Sequence, residues 1–294
     1  MAVTGNDVPD GCFAVTAVLG LGRSISRDRL VARIVRCDPH DTAWIAYGSA
    51  LDGRHRGVML SHAALGQRIG WMARLAGPAA GTTLLAGSLT DVSAAVAGSF
   101  TALWRGAAQV VAESADLGEV LAWIPRVSAS EIVLPPYAAR VLLRHPDRGR
   151  WGVARLGVRV LHPAHLAIDP VGTQTEPDPS LDLVELVCAT EAGGPFATAW
   201  PPESSGMLAG LEARIANPAA DGSGLLEIRG AGLMQGYQGD DAASLRVLAE
   251  DGWLALPVPA VIGEGGRMRF DTGTAAVPRG SVGYASGDPF PMPS

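Results

Sequence analysis

"TAWIAYGSALDGRHRGVMLSHAALGQRIGWMARLAG" spans residues 42–77 and contains, in order, an apolar run, a polar loop and a periodic apolar segment. The run "TAWIAYG" predicts a buried strand, and Gly48 to Gly57 predicts a glycine-bearing loop. Ser61 is predicted to cap the N-terminus of a helix with one apolar face. That face carries Leu65, Ile69, Met72 and Ala76. A strand, a flexible loop and a helix in this order are typical of a phosphate-binding loop.

The alternation of strands and helices continues beyond this stretch. Strands are predicted for "TTLLAG", "AQVVAE", "SEIVLP" and "VRVLHP". Helices are predicted between them for "DVSAAVAGSFTALWRG", "DLGEVLAWIPRV" and "PPYAARVLLRH". This pattern favours an α/β fold in which helices are layered on both faces of a mostly parallel sheet. From Leu211 to about Phe270, the short runs "LEARIAN", "GLLEIRG" and "GRMRFD" predict strands separated by tight turns, and hence a small β-rich subdomain.

The chain divides into four parts on these patterns. Residues 1–41 form an N-terminal segment that we expect to pair or to oligomerise. In it, "CFAVTAVLGLG" predicts a strand or a hydrophobic pairing segment, and "RDRLVARIV" a short amphipathic helix. Residues 42–203 form the α/β subdomain, and residues 204–271 the β-rich subdomain. Residues 272–294 are rich in glycine, proline and serine and predict a flexible tail.

The composition excludes several classes of protein. With 294 residues, 48% of them hydrophobic, the chain can bury a substantial core. A net charge of −6 provides no general basic surface for nucleic acid or for an anionic membrane. The longest uncharged apolar run, Val92–Trp104, is too short to span a bilayer. Cys12, Cys37 and Cys188 are far apart and the N-terminus has no basic signal region, so we expect a cytoplasmic protein.

Four ordered segments of the chain carry a family resemblance. Residues 47–58 read "YGSALDGRHRGV" and are followed by "SH"; behind them come "ATEAG", "GLLEIRGAGLMQGYQGD" and "EDGWLAL". They resemble the motifs Y-T-S-G-S-T-G-x-P-K-G-V with S-H, G-P-T-E, G-E-L-x-I-x-G-x-x-x-x-x-G-Y and x-D-G-W-x-x-T-G-D of the adenylate-forming superfamily. Its members are acyl-CoA synthetases, fatty acyl-AMP ligases, luciferases and the adenylation domains of peptide synthetases. The resemblance covers about residues 42–271.

In that family a carboxylate attacks the α-phosphate of ATP, which yields an acyl-adenylate and pyrophosphate. Backbone N–H groups and a positive charge offset the phosphates. The resemblance assigns this task to four loop positions: Ser49, Gly53, Arg56 and Gly57. It also implies that Thr190 and Glu191 bind the nucleotide phosphate and that Glu191 holds Mg²⁺. Asp91 lies where amino-acid-activating members keep an aspartate for the substrate's amino group, and its alternative role is to cap the following helix.

The phosphate loop departs from the family pattern. Ala50, Leu51 and Asp52 replace glycine, serine and threonine. The carboxylate of Asp52 would repel phosphate by on the order of a few kcal/mol in a partly desolvated loop. Arg56 replaces the loop lysine and keeps the charge without the compact ammonium group.

Later motifs depart as well. Val187 replaces the aromatic residue that stacks on adenine, and Cys188 replaces the following glycine. The T-G-D triplet reads Leu256, Pro257 and Val258, so the carboxylate that binds the ribose hydroxyls is missing. The family's C-terminal lid is expected to be absent, and the chain contains no lysine that could replace the lid lysine.

These departures favour a catalytically degenerate homologue without catalytic residues or a tightly bound cofactor. We expect a scaffold, regulatory or partner-binding protein in lipid, polyketide or nonribosomal peptide metabolism. Its expected partner is a second copy of the chain or an acyl or peptide assembly enzyme. The alternative is an ATP-dependent ligase that uses ATP and Mg²⁺ with reduced activity, or that is completed by a lid from a partner protein.

Overall fold

The structure is a computed structural model. It describes residues 2–3, 13–49, 51, 54–75, 81–112, 116–146, 148–149, 151–164, 168, 181–201 and 205–270. The chain forms two compact units, Met1–Asp41 and Thr42–Ser294. None of the helices among these residues combines the length and the apolarity that a bilayer crossing needs.

The first unit contains two short strands and two helices. Strands β1 (Ala2–Val3) and β2 (Phe13–Ala14) pair in parallel. Helix α1 (Val15–Gly22) follows β2 directly, and α2 (Arg27–Val35) confirms the predicted amphipathic helix. The strand predicted for "CFAVTAVLGLG" is present only at Phe13 and Ala14. From Val15 onward the prediction is wrong, because this part is helix α1. A strand needs a partner of its own length, whereas a helix satisfies its backbone hydrogen bonds within the segment.

The second unit begins with a hairpin. Strands β3 (Thr42–Ser49) and β4 (His55–Ser61) pair antiparallel, with Ser49 opposite His55. The loop predicted from Gly48 to Gly57 is therefore wrong at both ends, because the strand ladder continues into it. Gly57 permits this pairing, since a Cβ there would lie 2.8 Å from Cγ2 of Ile45.

Helix α3 (His62–Leu75) follows the hairpin. The Ser61 hydroxyl accepts a hydrogen bond from the Ala64 amide over 3.1 Å, which confirms the predicted N-cap. Leu65 and Met72 are buried and Ile69 is half-buried, while Ala76 lies outside the described residues.

A seven-stranded sheet forms the centre of the second unit. Its strands are β5 (Thr82–Leu85), β6 (Ala108–Val111), β7 (Glu131–Leu134), β8 (Gly157–Pro163), β9 (Leu183–Ala189), β10 (Gly194–Trp200) and β11 (Gly206–Met207). The order is β11-β10-β9-β8-β7-β5-β6. Strands β5 to β9 pair in parallel, and β10 and β11 extend the sheet antiparallel. The prediction of a mostly parallel α/β sheet is confirmed.

Helices cover both faces of this sheet. On one face lie α3 and a continuous helical segment made of α4 (Val92–Ala94), a π-helical turn (Ala95–Phe100) and α5 (Thr101–Arg105). On the other lie α6 (Leu117–Arg126) and α7 (Pro136–Arg144). The connection after β5 therefore leaves toward one face and the connection after β7 toward the other. A crevice between two such strands is a typical ligand site.

The remaining strands form two smaller sheets. Strands β12 (Leu211–Ala216), β13 (Gly224–Gly230), β15 (Leu254–Ile262) and β16 (Met268–Phe270) pair antiparallel in the order β12-β13-β15-β16, which confirms a β-rich part. Strand β14 (Gly236–Tyr237) instead joins β4 in a three-stranded sheet, and α8 (Asp241–Val247) follows it. This places Tyr237 beside the hairpin of the predicted phosphate loop.

Candidate functional site

A cavity of about 440 Å³ lies at the carboxyl ends of the central parallel strands. Leu85, Leu134, Pro163 and Ala189 line it from the ends of β5, β7, β8 and β9. It includes the crevice between β5 and β7, where the chain changes faces. The fold therefore places a cavity of ligand-binding size where open α/β sheets bind their ligands.

Two segments bring the residues with carboxyl groups to the cavity. Asp91 and Ser93 line it at the start of α4, and Thr190 and Glu191 line it from the short 3₁₀ turn Thr190–Ala192 after β9. The structure thus brings together three residues that the sequence predicted for the site, namely Asp91, Thr190 and Glu191. Apolar side chains, including Leu51 of the loop, form much of the remaining wall.

Glu191 is the buried carboxylate of this site, with only 1% of its surface exposed. Its Oε1 accepts a hydrogen bond from the Leu51 amide over 2.9 Å and another from the Tyr237 hydroxyl over 2.8 Å. Its carbonyl oxygen accepts from the Met234 amide over 2.8 Å. The two hydrogen bonds to Oε1 satisfy this buried oxygen and fix the direction of the side chain. Tyr237 had no predicted role, although it lies in the quoted G-Y motif.

Arg56 interacts with two neighbouring side chains, Asp240 and Tyr237. Its Nε lies 3.0 Å from Oδ2 of Asp240, and its guanidinium lies 5.3 Å from the ring centre of Tyr237. The hydrogen bond from Arg56, together with the Ala243 amide, lowers the pKa of Asp240 below its usual range. The sequence predicted Arg56 as a cation for phosphate, and the structure places it in an ion pair above Tyr237.

The other loop positions contribute less to the described site. Ser49 ends strand β3 opposite His55, and nothing is described of its side chain. Gly53 lies outside the described residues, as do Ala50 and Asp52. Gly57 lies within β4 and packs against Tyr47, because a Cβ at this position would come 3.1 Å from Cζ of that ring.

Two positions from the later motifs are buried. Val258 is 1% exposed, packs in the core from strand β15 and is not one of the residues that line the cavity. Cys188 does line the cavity, and burial raises the pKa of its thiol well above the usual value, with the charge of Asp91 adding to the effect. The thiol is therefore neutral at physiological pH. A side chain at 188 also occupies space that the family's glycine leaves open.

A buried histidine and a buried glutamate form a contact between two strands of the central sheet. Nε2 of His162 on β8 lies 2.6 Å from Oε2 of Glu185 on β9, and both side chains are buried. Within the described parts of the chain, no three His, Cys, Asp or Glu side chains converge as metal ligands would. The residues described therefore offer Glu191 as one carboxylate for a metal, and not a complete protein-made metal site.

Asp91 caps helix α4. Its Oδ1 accepts a hydrogen bond from the Ala94 amide over 2.9 Å, so the alternative that the sequence left open is present in the structure. Its position on the cavity wall is compatible with both roles.

Asp91→Ala and Asp91→Asn are expected to separate these two roles. Asparagine is as good an N-cap as aspartate, whereas alanine removes the acceptor and costs about 1 kcal/mol. We therefore expect the midpoint temperature of thermal unfolding to fall in Asp91→Ala and to stay near that of the parent protein in Asp91→Asn. If both variants lose the same stability, the carboxylate charge and not the cap contributes to folding.

The comparison with known proteins identifies the family. The sequence model described as AMP-binding enzyme matches residues 14–238. The chain belongs to the AMP-binding enzyme family. A protein from Rhodococcus jostii, named 3-[(3aS,4S,7aS)-7a-methyl-1,5-dioxo-octahydro-1H-inden-4-yl]propanoyl:CoA ligase, is 26% identical over 273 residues, which cover 86% of this chain and 50% of that protein. The probable CoA ligase CCL5 from Humulus lupulus is 24% identical and is matched over 81% of this chain and 46% of its own.

Solved structures show the same fold. The N-terminal domain of FACL13 from Mycobacterium tuberculosis superposes with a TM-score of 0.70 at 14% identity and covers 88% of this chain and 67% of that domain. Apo MatB from Rhodopseudomonas palustris superposes with a TM-score of 0.66 at 18% identity and covers 80% of this chain and 49% of its own. The chain thus spans about half the length of the CoA ligases that it matches.

Proposed function

We propose that this AMP-binding enzyme family member is catalytically degenerate, retains a ligand-binding cavity and acts as a scaffold, regulatory or partner-binding protein. The observation that carries the proposal is Val258. In the family pattern this position holds the carboxylate for the ribose hydroxyls, and here it is an apolar side chain in the core. Valine has no hydrogen-bonding group, so the described residues do not fit the ribose of ATP at this position.

The engagement of Arg56 supports the same proposal. A cation that is 8% exposed and paired with Asp240 already has its charge offset by that carboxylate, so it stabilises a phosphate less than an unpaired cation would. Since the chain contains no lysine, no compact ammonium group from this sequence can substitute. Weak binding of ATP is the expected consequence.

The retained cavity suggests what the protein still binds. Its wall combines apolar side chains with the carboxyl groups of Asp91 and Glu191, which suits an acyl or aminoacyl group, as carried by enzymes of lipid, polyketide or nonribosomal peptide metabolism. We place the protein in the cytoplasm, as a homo-oligomer or as the partner of an acyl or peptide assembly enzyme. Residues 1–41 are the proposed pairing segment, residues 42–203 and 204–271 are the proposed subdomains, and residues 272–294 are the proposed tail.

Glu191 favours a second candidate function. A buried carboxylate on the cavity wall is the group by which an AMP-forming ligase would hold Mg²⁺ with ATP. The matched proteins from Rhodococcus jostii and Humulus lupulus are named as CoA ligases. A ligase of reduced activity, or one completed by a partner's lid, would keep this carboxylate.

Calorimetry with ATP and Mg²⁺ distinguishes the two candidates. We expect no binding tighter than about 1 mM, which corresponds to roughly −4 kcal/mol. A parallel titration uses a non-hydrolysable acyl-adenylate analogue. Micromolar binding of ATP that is lost in Glu191→Ala, and kept when exposed Glu264 is changed to alanine, would contradict degeneracy and establish the ligase candidate.

A further inference from the structure

An arginine is buried within the apolar face of helix α3. Arg68 lies between Leu65 and Met72 on that face and is 1% exposed. Its Nε donates to the carbonyl oxygen of Ala192 over 2.9 Å, and its Nη2 donates to that of Ala231 over 3.2 Å. Among the residues that the structure describes, no carboxylate lies within ion-pair distance of this guanidinium.

Burial against neutral carbonyls is costly for a cation. Desolvation lowers the pKa of Arg68 to about 10, which still leaves the side chain charged at neutral pH. A leucine or methionine at this position would continue the apolar face without that cost. We therefore look for the role of this arginine in its two hydrogen bonds.

Two glycines shape the slot around the guanidinium. A Cβ at Gly232, where φ is +99°, would lie within 2.9 Å of three guanidinium atoms. A Cβ at Gly193, where φ is +70°, would lie 3.3 Å from Cγ of Arg68 and 2.6 Å from the carbonyl oxygen of Gly232. Both positive φ values favour glycine as well. The slot thus fits a planar forked side chain held between two backbone segments.

The two segments are the ones that hold Glu191. Ala192 follows Glu191 in its 3₁₀ turn, and Ala231 precedes Met234, whose amide bonds to the carbonyl of Glu191. Arg68 therefore joins the turn to the loop from one side, and the Met234 amide joins them from the other. Tyr237, which follows the same loop, then meets the Glu191 carboxylate.

We propose that Arg68 is a positioning residue for Glu191: its guanidinium clamps the 190–192 turn to the 231–234 loop and thereby holds the Glu191 carboxylate against Tyr237 at the cavity wall. That the positioned carboxylate then serves a bound ligand rests on the proposed function of the cavity. The arrangement itself exists in the ligand-free protein, and it is tested there.

The Tyr237 hydroxyl proton serves as the spectroscopic reporter. It is donated to a buried carboxylate over 2.8 Å, so we expect a resolved, slowly exchanging proton signal by NMR in the full chain with ¹³C-labelled tyrosine. The signal is assigned by its loss in Tyr237→Phe. In Arg68→Met we expect exchange with water at least about tenfold faster, because the turn and the loop open locally.

Matched variants separate positioning from general loss of stability. Met72→Ala removes buried volume one turn along the same helix face, and its hydroxyl exchange should stay near the parent rate when compared at equal global stability. Arg68→Lys keeps the charge but not the fork, and it should give an intermediate rate. Gly232→Ala, which displaces the guanidinium from the other side, should reproduce the effect if Arg68→Met fails to fold.

Either of two results would overturn the proposal. One is an unchanged rate of Tyr237 hydroxyl exchange in all three variants, Arg68→Met, Arg68→Lys and Gly232→Ala. The other is that Met72→Ala accelerates this exchange as much as Arg68→Met does. No ligand is added, so a failure of ATP or acyl-adenylate to bind bears on the proposed function and leaves this result independent.

Discussion

Val258→Asp is expected to lower the free energy of unfolding by about 4 kcal/mol or more, with no gain in ATP binding. From Leu254 to Val261, strand β15 alternates between the core and a half-buried face. Leu254, Leu256 and Val258 are each at most 1% exposed on the core side. A carboxylate at position 258 would lose its water without a described partner, although the family pattern has aspartate there. Urea denaturation followed by circular dichroism gives the stability, and calorimetry gives the ATP affinity.

Two controls isolate the buried charge. Val258→Thr keeps the shape and adds only a hydroxyl, so it should cost about 1–3 kcal/mol. Ala255→Asp places the same carboxylate on the half-buried face of the strand and should cost less than Val258→Asp. A Val258→Asp protein of parent-like stability that binds ATP would mean that position 258 faces the nucleotide. This result would contradict the burial of position 258 in the core, and it would identify the missing carboxylate as the cause of weak ATP binding by the parent protein.

The elements with complete local signals were predictable from the sequence. Strands β5 to β8 are compact apolar runs bounded by turn residues. Of the helices between them, α4 and α6 have an aspartate N-cap, and α7 has proline in its first turn. Strand β15 carries no such signal, because Pro257 and Pro259 lie inside it and proline argues against a strand interior. Its ladder with β13 is interrupted between Leu225 and Glu227, opposite the stretch that contains Pro257. The missing N–H group is thus accommodated by an irregularity that only the paired strands reveal.

The candidate site was predictable only where a motif is local. Thr190 and Glu191 are neighbours in one motif, and Asp91 directly precedes the helix that it caps. The contacts of Glu191 with Leu51 and Tyr237 join residues 140 and 46 positions apart. Arg56 and Asp240 are 184 positions apart. No sequence spacing predicts such pairs, since the fold alone brings them together.

Arg68 has a sequence signal that is easier to recognise after the fact. A charged residue in the middle of a helix's apolar face is seldom tolerated without a specific partner. Here the partners are two backbone carbonyls from distant loops. An arginine at such a position indicates a specific structural role, and the two carbonyl hydrogen bonds show which segments it joins.

A group of buried charged side chains lies near the amino ends of β7 and β8, and we expect its disruption to cause a large loss of stability. Arg159 is 1% exposed, with its Nε 3.1 Å from Oε1 of Glu131 and its Nη2 2.8 Å from Oδ2 of Asp182. Nη1 of Arg105 lies 3.3 Å from the other carboxylate oxygen of Glu131. Neither Glu131 Oε1 nor Arg159 Nε has a hydrogen-bond partner among the described residues, so the contact between them is an ion pair.

Arg159→Met is expected to destabilise the protein by about 3–5 kcal/mol at neutral pH, because it leaves the Glu131 carboxylate buried with Arg105 as its remaining described ion-pair partner. Burial raises the pKa of Glu131, and Arg159 and then Arg105 lower it. A raised folded-state pKa means that stability falls as pH rises from the ordinary glutamate value through the folded value. Removal of Arg159 raises that pKa further. The deficit of the variant should therefore be greatest at pH 7–8 and shrink as the pH is lowered toward the ordinary glutamate range.

The combined variant Glu131→Gln with Arg159→Met tests the cause. Glutamine keeps a hydrogen-bond acceptor for Arg105 but carries no charge, so we expect this variant to recover much of the lost stability and to lose the added pH dependence. Denaturation of the parent, the single variant and the combined variant at two pH values measures both effects. A deficit in Arg159→Met that is the same at both pH values would mean that lost packing of the long arginine side chain, and not the unpaired charge of Glu131, governs stability at this end of the sheet.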